Sequence, residues 1–313
     1  MLFWFRGGDI GVAVFFIITG YFLISSKKPR NLRKVIIQTL FYSVLSAIVL
    51  VVLKLLKIEF VSYETIGTQL LLPISGSIWW FVSAYVLLCL SSISINSYVA
   101  GMSRRNYQLM LVALWCLWII GGKVLDVKYY SILRAFWYYL LGGWFRKYDI
   151  TLNKGVCITG FVACWAAYAI LTYQIGYIIG NRLDYSMHAN VFKLLRAVVL
   201  GPVAGVFLFA LFKDLMVEDN PSIYWLASCT LGIYLLHESS GGRILFWKEA
   251  FHISGSIYDS IWYPLYTVFA CLCIIGMGIA IETAWRKLLP LSWYPDLHFN
   301  KENKSKISPA DNR

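Results

Sequence analysis

Long, continuous apolar runs separated by short polar breaks dominate the pattern of this chain. Runs such as VLSAIVLVVL and VACWAAYAIL show no alternation of apolar and polar positions. The strands of a transmembrane barrel would alternate with a period of two, whereas a helical crossing needs roughly 20 mostly apolar residues. The pattern therefore predicts an all-α fold, a polytopic integral membrane helical bundle.

The apolar runs predict about nine transmembrane helices. They lie at about residues 10–26, 35–56, 78–95, 108–121, 131–145, 155–178, 194–212, 223–237 and 258–283. Gly201 and Pro202 are expected to kink the seventh helix. The polar stretch at the end of the chain, NKENKSKISPADNR, is predicted to be disordered. The chain is thus divided into a membrane domain at residues 1–285 and a cytoplasmic tail at residues 286–313.

Composition and charge agree with a membrane protein. Hydrophobic residues make up 59% of the chain and charged residues 14%, with a formal net charge of +12. The basic residues are spread between the apolar runs and are not gathered on one domain, so they favour orientation in a membrane over nucleic-acid binding. The seven cysteines lie within apolar runs without the spacing of a zinc site, and we interpret them as packing residues.

The distribution of lysine and arginine predicts the orientation of the helices. One set of alternating loops, including the tail, holds seventeen of these residues, and the opposite set holds nine. Because cytoplasmic loops carry the excess, the C-terminus is predicted to be cytoplasmic and residue 1 to be outside, in a multi-pass plasma-membrane protein. The first crossing is followed, not preceded, by its positive cluster, which is the reverse of a signal peptide. An earlier helix absent from the sequence would produce the same arrangement.

Four stretches carry a resemblance to a known family. They are GDIGVAVFFIITGYFLI at residues 8–24, SIWWF at 77–81, YLLGG at 139–143 and TLGIYLLH at 230–237. In this order they resemble motifs of the acyltransferase 3 family, the bacterial-type integral membrane O-acyltransferases. The first stretch also has a simpler interpretation, a helix whose small residue allows close packing.

The resemblance implies ten helices, both termini in the cytoplasm, and acyl transfer from acyl-CoA to a hydroxyl of a glycan or lipid-linked sugar. Acetyl-CoA is the expected donor, and no bound cofactor is implied. The family's first helix carries an Arg and then a His regarded as catalytic, whereas the first histidine here is His188. We therefore expect that this helix is missing, either because the sequence starts at an internal Met or because the chain is a truncated, inactive relative.

His237 and Glu238 are the predicted catalytic residues. Acyl transfer to a sugar hydroxyl needs a base near neutral pH, and His is the usual one. His237 ends the eighth predicted crossing at the outer boundary, and Glu238 directly follows it, so the carboxylate could orient the ring. The competing interpretation is a histidine that only caps the C-terminus of a helix.

Six further residues are predicted to bind substrate near the outer ends of their helices. They are Arg6, Asp9, Trp79, Trp80, Arg134 and Arg196. Ionisable residues inside membrane segments tend to face a cavity or a partner, so the arginines are candidates for contacting a phosphate or a sugar acid. Snorkelling of the arginines toward headgroups, and an interfacial aromatic belt for the tryptophans, are the alternatives.

A cationic cluster follows the first crossing and indicates a partner on the cytoplasmic side. Its members are Lys27, Lys28, Arg30, Arg33 and Lys34. Anionic membrane lipid explains such a cluster, and attraction of acyl-CoA is the sharper hypothesis. For the whole protein, a transporter or flippase of lipid-linked sugars is the alternative function, although no inverted repeat is evident in the sequence.

Overall fold

A computed structural model describes residues 8–58, 61–74, 78–120, 130–180, 199–215, 220–251 and 262–288 of the chain. All regular structure within these residues is helical. The longer α-helices are α1 (Gly8–Leu23), α2 (Arg33–Leu55), α3 (Tyr63–Leu71), α4 (Trp80–Ala100), α5 (Arg104–Ile119), α6 (Tyr130–Lys147), α7 (Lys154–Gly180), α8 (Gly201–Lys213), α9 (Pro221–Glu238) and α10 (Tyr263–Leu288). A single turn, Ser240–Gly242, and a π-helix, Arg243–Ala250, follow α9.

The all-helical prediction is confirmed for the described residues, and three helical segments are long and apolar enough to cross a membrane. These segments are Arg33–Leu55, Trp80–Ala100 and Leu265–Lys287. Shorter apolar helices are Gly8–Leu23, Lys154–Ala167 and Gly201–Lys213. Each of the predicted apolar runs overlaps a helix. The number of crossings remains a prediction.

The exposure of side chains is the reverse of that in a water-soluble bundle. Large apolar residues such as Leu55, Phe22 and Leu90 lie on the outer surface and are 76%, 72% and 69% exposed. Polar residues such as Gln38 and Glu282 are buried between helices. Hydrocarbon solvates apolar side chains and leaves polar groups to find partners inside the protein, so this arrangement fits a lipid environment.

Helix α1 lies at the centre of one half of the described bundle. It packs against α6 on one side and α8 on another, while α6 also contacts α4 and α5, and α8 contacts α7. In the other half, α2 contacts α3 and α9, and α9 packs on α10. Phe81 of α4 connects the halves, because its ring lies 5.1 Å from the ring of Phe16 in α1 and 5.1 Å from that of Tyr234 in α9.

Two glycines allow the backbones of α1 and α6 to touch. A Cβ atom on Gly20 would overlap the carbonyl group of Tyr139, and a Cβ atom on Gly142 would overlap that of Ile17. The contact is thus reciprocal, with a glycine of each helix facing the backbone of the other. Small residues at such positions are how membrane helices approach closely. The interpretation of the first stretch as a helix whose small residue allows close packing is confirmed. The YLLGG stretch at residues 139–143 supplies the opposite side of the same contact.

Replacing Gly142 by leucine is expected to destabilise the bundle more than the same change elsewhere. The new side chain would meet backbone atoms of α1, which cannot move aside as a flexible side chain would. Overpacking of this kind typically costs about 1–3 kcal/mol and occasionally more. Thermal unfolding of the purified chain in detergent measures the effect. Gly276→Leu is the control because nothing lies within 4 Å of its Cβ position, and equal losses in both variants would contradict the prediction.

Some local features differ from the sequence-based predictions. Helix α3 and the π-helix were not predicted. Residues 199 and 200 are π-helical, and helix α8 begins directly after them at Gly201. The seventh predicted crossing before residue 199 lies outside the described residues, so the kink at Gly201 and Pro202 stays a prediction. Helix α10 ends at Leu288, and the domain boundary placed at residue 285 also stays a prediction.

Candidate functional site

Three of the predicted substrate-binding residues form one cluster where α1, α4 and α6 begin. Nη1 of Arg134 lies 3.1 Å from Oδ1 of Asp9, an ion pair between α6 and α1. The guanidinium group of Arg134 also lies over the ring of Trp80, 4.7 Å from its centroid. Helix packing at the glycines of α1 and α6 sets the spacing at which the ion pair can form. Three residues that the sequence placed near the outer ends of their helices are therefore in contact.

Two buried hydrogen-bond donors in and beside the Arg134 cluster have no partner among the described residues. They are Nε1 of Trp79 and Nε of Arg134. Trp79 is completely buried, and only 8% of Arg134 is exposed. Leaving a buried donor unsatisfied costs about 1–3 kcal/mol, so such groups are retained where they serve a purpose or meet a ligand. Neither atom is exposed, so an oxygen acceptor can reach it only after neighbouring side chains move.

The positions of Trp79 and Arg134 disfavour an aromatic belt and snorkelling, and substrate binding by both residues stays a prediction. An interfacial belt requires a tryptophan that reaches the headgroups, and Trp79 is enclosed in the core. A snorkelling arginine extends outward, whereas the charged end of Arg134 turns inward to Asp9 and Trp80. Arg134 thus follows the rule that ionisable residues within membrane helices pair inside the bundle. Arg6 and Arg196 lie outside the described residues.

The ring of His237 is held in one orientation in the last turn of α9. Its Nδ1 lies 2.7 Å from the carbonyl oxygen of Ile233, one turn earlier. A backbone carbonyl can only accept a hydrogen bond, so Nδ1 donates and Nε2 of the neutral ring carries the lone pair. Nε2 lies 3.7 Å from Oε1 of Glu238. The bond to Ile233 is also what the helix-capping interpretation requires, and by itself it does not separate the two roles.

Glu238 is held in turn by an arginine that sequence analysis did not select. Nε of Arg243, the first residue of the π-helix, donates to Oε2 of Glu238 over 3.1 Å, and Nη2 donates to the same oxygen. Oε1 is left facing His237. His237, Glu238 and Arg243 therefore form a linked row of side chains. The side chains of His237 and Glu238 are 26% and 31% exposed, so both are open to a ligand.

Aromatic side chains connect the Arg134 cluster with the His237 row. The ring of Tyr234 lies 6.1 Å from that of His237 and 5.1 Å from that of Phe81. Phe81 directly follows Trp80 in α4, and their rings are 6.1 Å apart. The start of α4 and the end of α9 thus meet, and both groups of predicted residues belong to the same end of the bundle.

A second polar cluster, between α2, α9 and α10, was not predicted. The completely buried Glu282 accepts hydrogen bonds at Oε1 from Nε2 of Gln38 (2.6 Å) and from the hydroxyl of Tyr42 (3.0 Å). Nη2 of Arg286 lies 3.3 Å from Oε2. The sequence did contain a signal for this cluster, because Glu282 is an ionisable residue inside the ninth predicted crossing. Such residues usually have a polar partner or a functional role.

Comparison with known proteins extends the sequence resemblance. The model of the acyltransferase 3 family, described as an acyltransferase domain, matches residues 1–283. No curated protein and no solved structure matches the chain significantly. The family match includes all four motif stretches, whose residues form the α1–α6 contact, the start of α4 and the end of α9. The chain therefore belongs to the acyltransferase 3 family.

Proposed function

We propose that this membrane acyltransferase moves an acyl group, in the simplest case acetyl, from acyl-CoA to a hydroxyl of a cell-surface polysaccharide or lipid-linked sugar. Family membership supports acyl transfer. The observation that carries the choice of a hydroxyl acceptor is the fixed ring of His237, in which Nδ1 is held by the carbonyl of Ile233 and the side chain is 26% exposed. A hydroxyl needs such a base to lose its proton as it attacks.

In the proposed reaction, Nε2 of His237 takes the proton of the acceptor hydroxyl while the hydroxyl oxygen bonds to the acyl carbonyl carbon. The carbon–sulfur bond of the thioester then breaks, and the imidazolium of His237 gives its proton to the departing CoA thiolate, which restores the neutral base. Glu238 faces Nε2 and stabilises the imidazolium that forms, while Arg243 holds the carboxylate in place. His237 is thus the proposed catalytic base, and Glu238 is the residue that orients and stabilises it.

Asp9, Trp79, Trp80 and Arg134 are the proposed acceptor-binding residues, together with Arg6 and Arg196. The indole of Trp80 offers a flat face to a sugar ring, although one face is covered by the guanidinium of Arg134. The unsatisfied donors of Trp79 and Arg134 fit hydroxyl or carboxylate oxygens of a glycan. The pairing with Asp9 neutralises Arg134, so the cluster suits a polar sugar better than a highly charged phosphate.

The charge distribution supports the proposed orientation of donor and acceptor. With the C-terminus in the cytoplasm, Lys27, Lys28, Arg30, Arg33 and Lys34 face the compartment that holds acyl-CoA. The starts of α1, α4 and α6, with the His237 row, then face the outside of the plasma membrane, where an envelope glycan is found. Direct transfer at His237 then requires acyl-CoA to reach through the bundle, so that its thioester lies at the outer face while its phosphates stay near the cationic cluster.

The full 313-residue chain, reconstituted in liposomes with radiolabelled acetyl-CoA and an extract of envelope glycans, tests this function. We expect label in the glycan fraction, released by mild alkali as an oxygen ester is. Liposomes without protein and reactions without glycan are the controls. Label that resists alkali would indicate an amide and contradict a hydroxyl acceptor. The absence of label from correctly folded protein would contradict the proposed activity of this chain.

A further inference from the structure

A groove between α1 and α8 opens on the surface of the described bundle, away from the His237 row. Its volume is about 360 Å³. Val14, Ile18 and Phe22 form one wall, and Leu208 and Phe212 form the other. Phe22 and Phe212 are 72% and 60% exposed, so the groove is open sideways. In a membrane protein such an opening faces the acyl chains of the bilayer.

One end of this groove is cationic. Lys213, the last residue of α8, lines the groove with a side chain that is only 4% exposed. A second cation, Arg146 of α6, lies near the same ring of Tyr21, with its guanidinium 5.2 Å and the Lys213 ammonium 6.0 Å from the ring centroid. Nη1 of Arg146 donates to the Tyr21 hydroxyl over 3.4 Å. Asp214, 2.9 Å from Nζ of Lys213, offsets one of the two positive charges.

We propose that this groove binds one acyl chain of an anionic phospholipid, with the lipid phosphate beside Arg146 and Lys213. The apolar walls match the chain, and the net positive end matches a negative headgroup at the level where α1, α6 and α8 end. Tyr21, with an apolar ring and a polar hydroxyl, suits the boundary between the two. The sideways opening favours a lipid that enters from the bilayer over a coenzyme that arrives from water. The proposal does not depend on the acyltransferase activity.

A photoactivatable phosphatidylglycerol with a diazirine in one acyl chain tests the location directly. The full chain in lipid nanodiscs is irradiated, digested and analysed by mass spectrometry. We expect labelled peptides from α1 and α8, around Ile18, Phe22 and Phe212, and at least about five-fold less labelling by the matched phosphatidylcholine analogue. Equal labelling by both lipids, or labelling of other helices alone, would overturn the proposal.

Substitutions and competition make the test specific. Arg146→Gln and Lys213→Gln are each expected to reduce phosphatidylglycerol labelling about five-fold. Lys154→Gln removes the same charge from an exposed position at the start of α7, outside the groove, and is expected to leave labelling unchanged. In a competition experiment, unlabelled phosphatidylglycerol is expected to reduce labelling by the photoactivatable lipid more than palmitoyl-CoA does. Stronger competition by palmitoyl-CoA would identify the groove as a coenzyme site and reject the lipid. The comparison of lipids on the unsubstituted chain remains decisive if a variant does not fold.

Discussion

Replacing His237 by glutamine is expected to lower the rate of acyl transfer by about 10²–10⁴-fold, the range that a positioned general base contributes. Glutamine keeps a side-chain amide that can donate to the carbonyl of Ile233, as Nδ1 of the histidine does. It has no basic nitrogen to take the proton of an acceptor hydroxyl. The last turn of α9 should therefore stay folded, while the transfer of the hydroxyl proton is lost.

Two readouts separate catalysis from helix capping at this position. Acetyl transfer to glycan reports the base, and the midpoint of thermal unfolding reports the cap. A large fall in rate with an unchanged midpoint supports the catalytic role, and partial recovery of His237→Ala by added imidazole would strengthen it. His298→Gln is a matched control because residue 298 lies in the predicted cytoplasmic tail, outside the membrane domain. Full activity of His237→Gln would remove His237 from the mechanism.

A substitution of Glu238 is expected to have a smaller effect on the rate than the substitution of His237. Its Oε1 faces Nε2 of His237 but is 3.7 Å away, so it acts on the imidazolium and not on the substrate. We expect Glu238→Gln to lower the rate less than His237→Gln does. A loss as large as that of the histidine variant would assign the carboxylate a direct contact with the reacting groups.

The sequence predicted the long helices well because their signal is local. An apolar run of adequate length forms a helix in hydrocarbon whatever its neighbours are, since every backbone group must be satisfied within the segment. The shorter elements were missed for the same reason. Helix α3 is held by a cap, in which the Ser62 hydroxyl accepts from the N–H of Thr65, and by its packing on α2. The π-helix continues from the turn after α9, and no apolar run in the sequence predicts it.

The sequence identified several residues of the site but not which of them contact each other. The alternation of crossings placed Asp9, Trp80 and Arg134 at one end of the bundle, and the structure shows them in contact. That the partner of Arg134 would be Asp9, 125 residues earlier, could not be read from either helix alone. The link from Glu238 to Arg243 was missed because Arg243 lies beyond the end of the eighth predicted crossing, at residue 237.

Glu282 shows why buried polar partners escape sequence analysis. It lies in an apolar helix, and its nearest hydrogen-bond donor, Gln38, is 244 residues away in α2. A methyl group on Gly232 of α9 would overlap Oε1 of Glu282 and approach the hydroxyl of Tyr42. That glycine therefore leaves the space in which the carboxylate lies. The glycine was visible as part of the TLGIYLLH stretch, but its purpose appears only when α2, α9 and α10 are assembled.

Replacing Glu282 by alanine is expected to cost about 3–5 kcal/mol of stability, the range for breaking a buried ion pair by removing one partner. The side chain of Arg286 is only 10% exposed and would lose its carboxylate. Among the described residues it would keep hydrogen bonds to the hydroxyl and the carbonyl oxygen of Ser228, both 2.8 Å long. The donors of Gln38 and Tyr42 would lose their shared acceptor as well.

Unfolding of the detergent-purified chain, followed by tryptophan fluorescence, measures this loss. Glu282→Gln should cost less than Glu282→Ala because an amide oxygen still accepts from Gln38 and Tyr42. The double variant Glu282→Ala with Arg286→Met should be more stable than Glu282→Ala alone, since it removes the unpaired buried cation. Glu64→Ala, at an exposed position in α3, is the control. If the double variant were instead less stable than Glu282→Ala, Arg286 would be stabilising through Ser228 of α9 and not through the carboxylate. The loss in Glu282→Ala would then come from the hydrogen bonds to Gln38 and Tyr42 of α2.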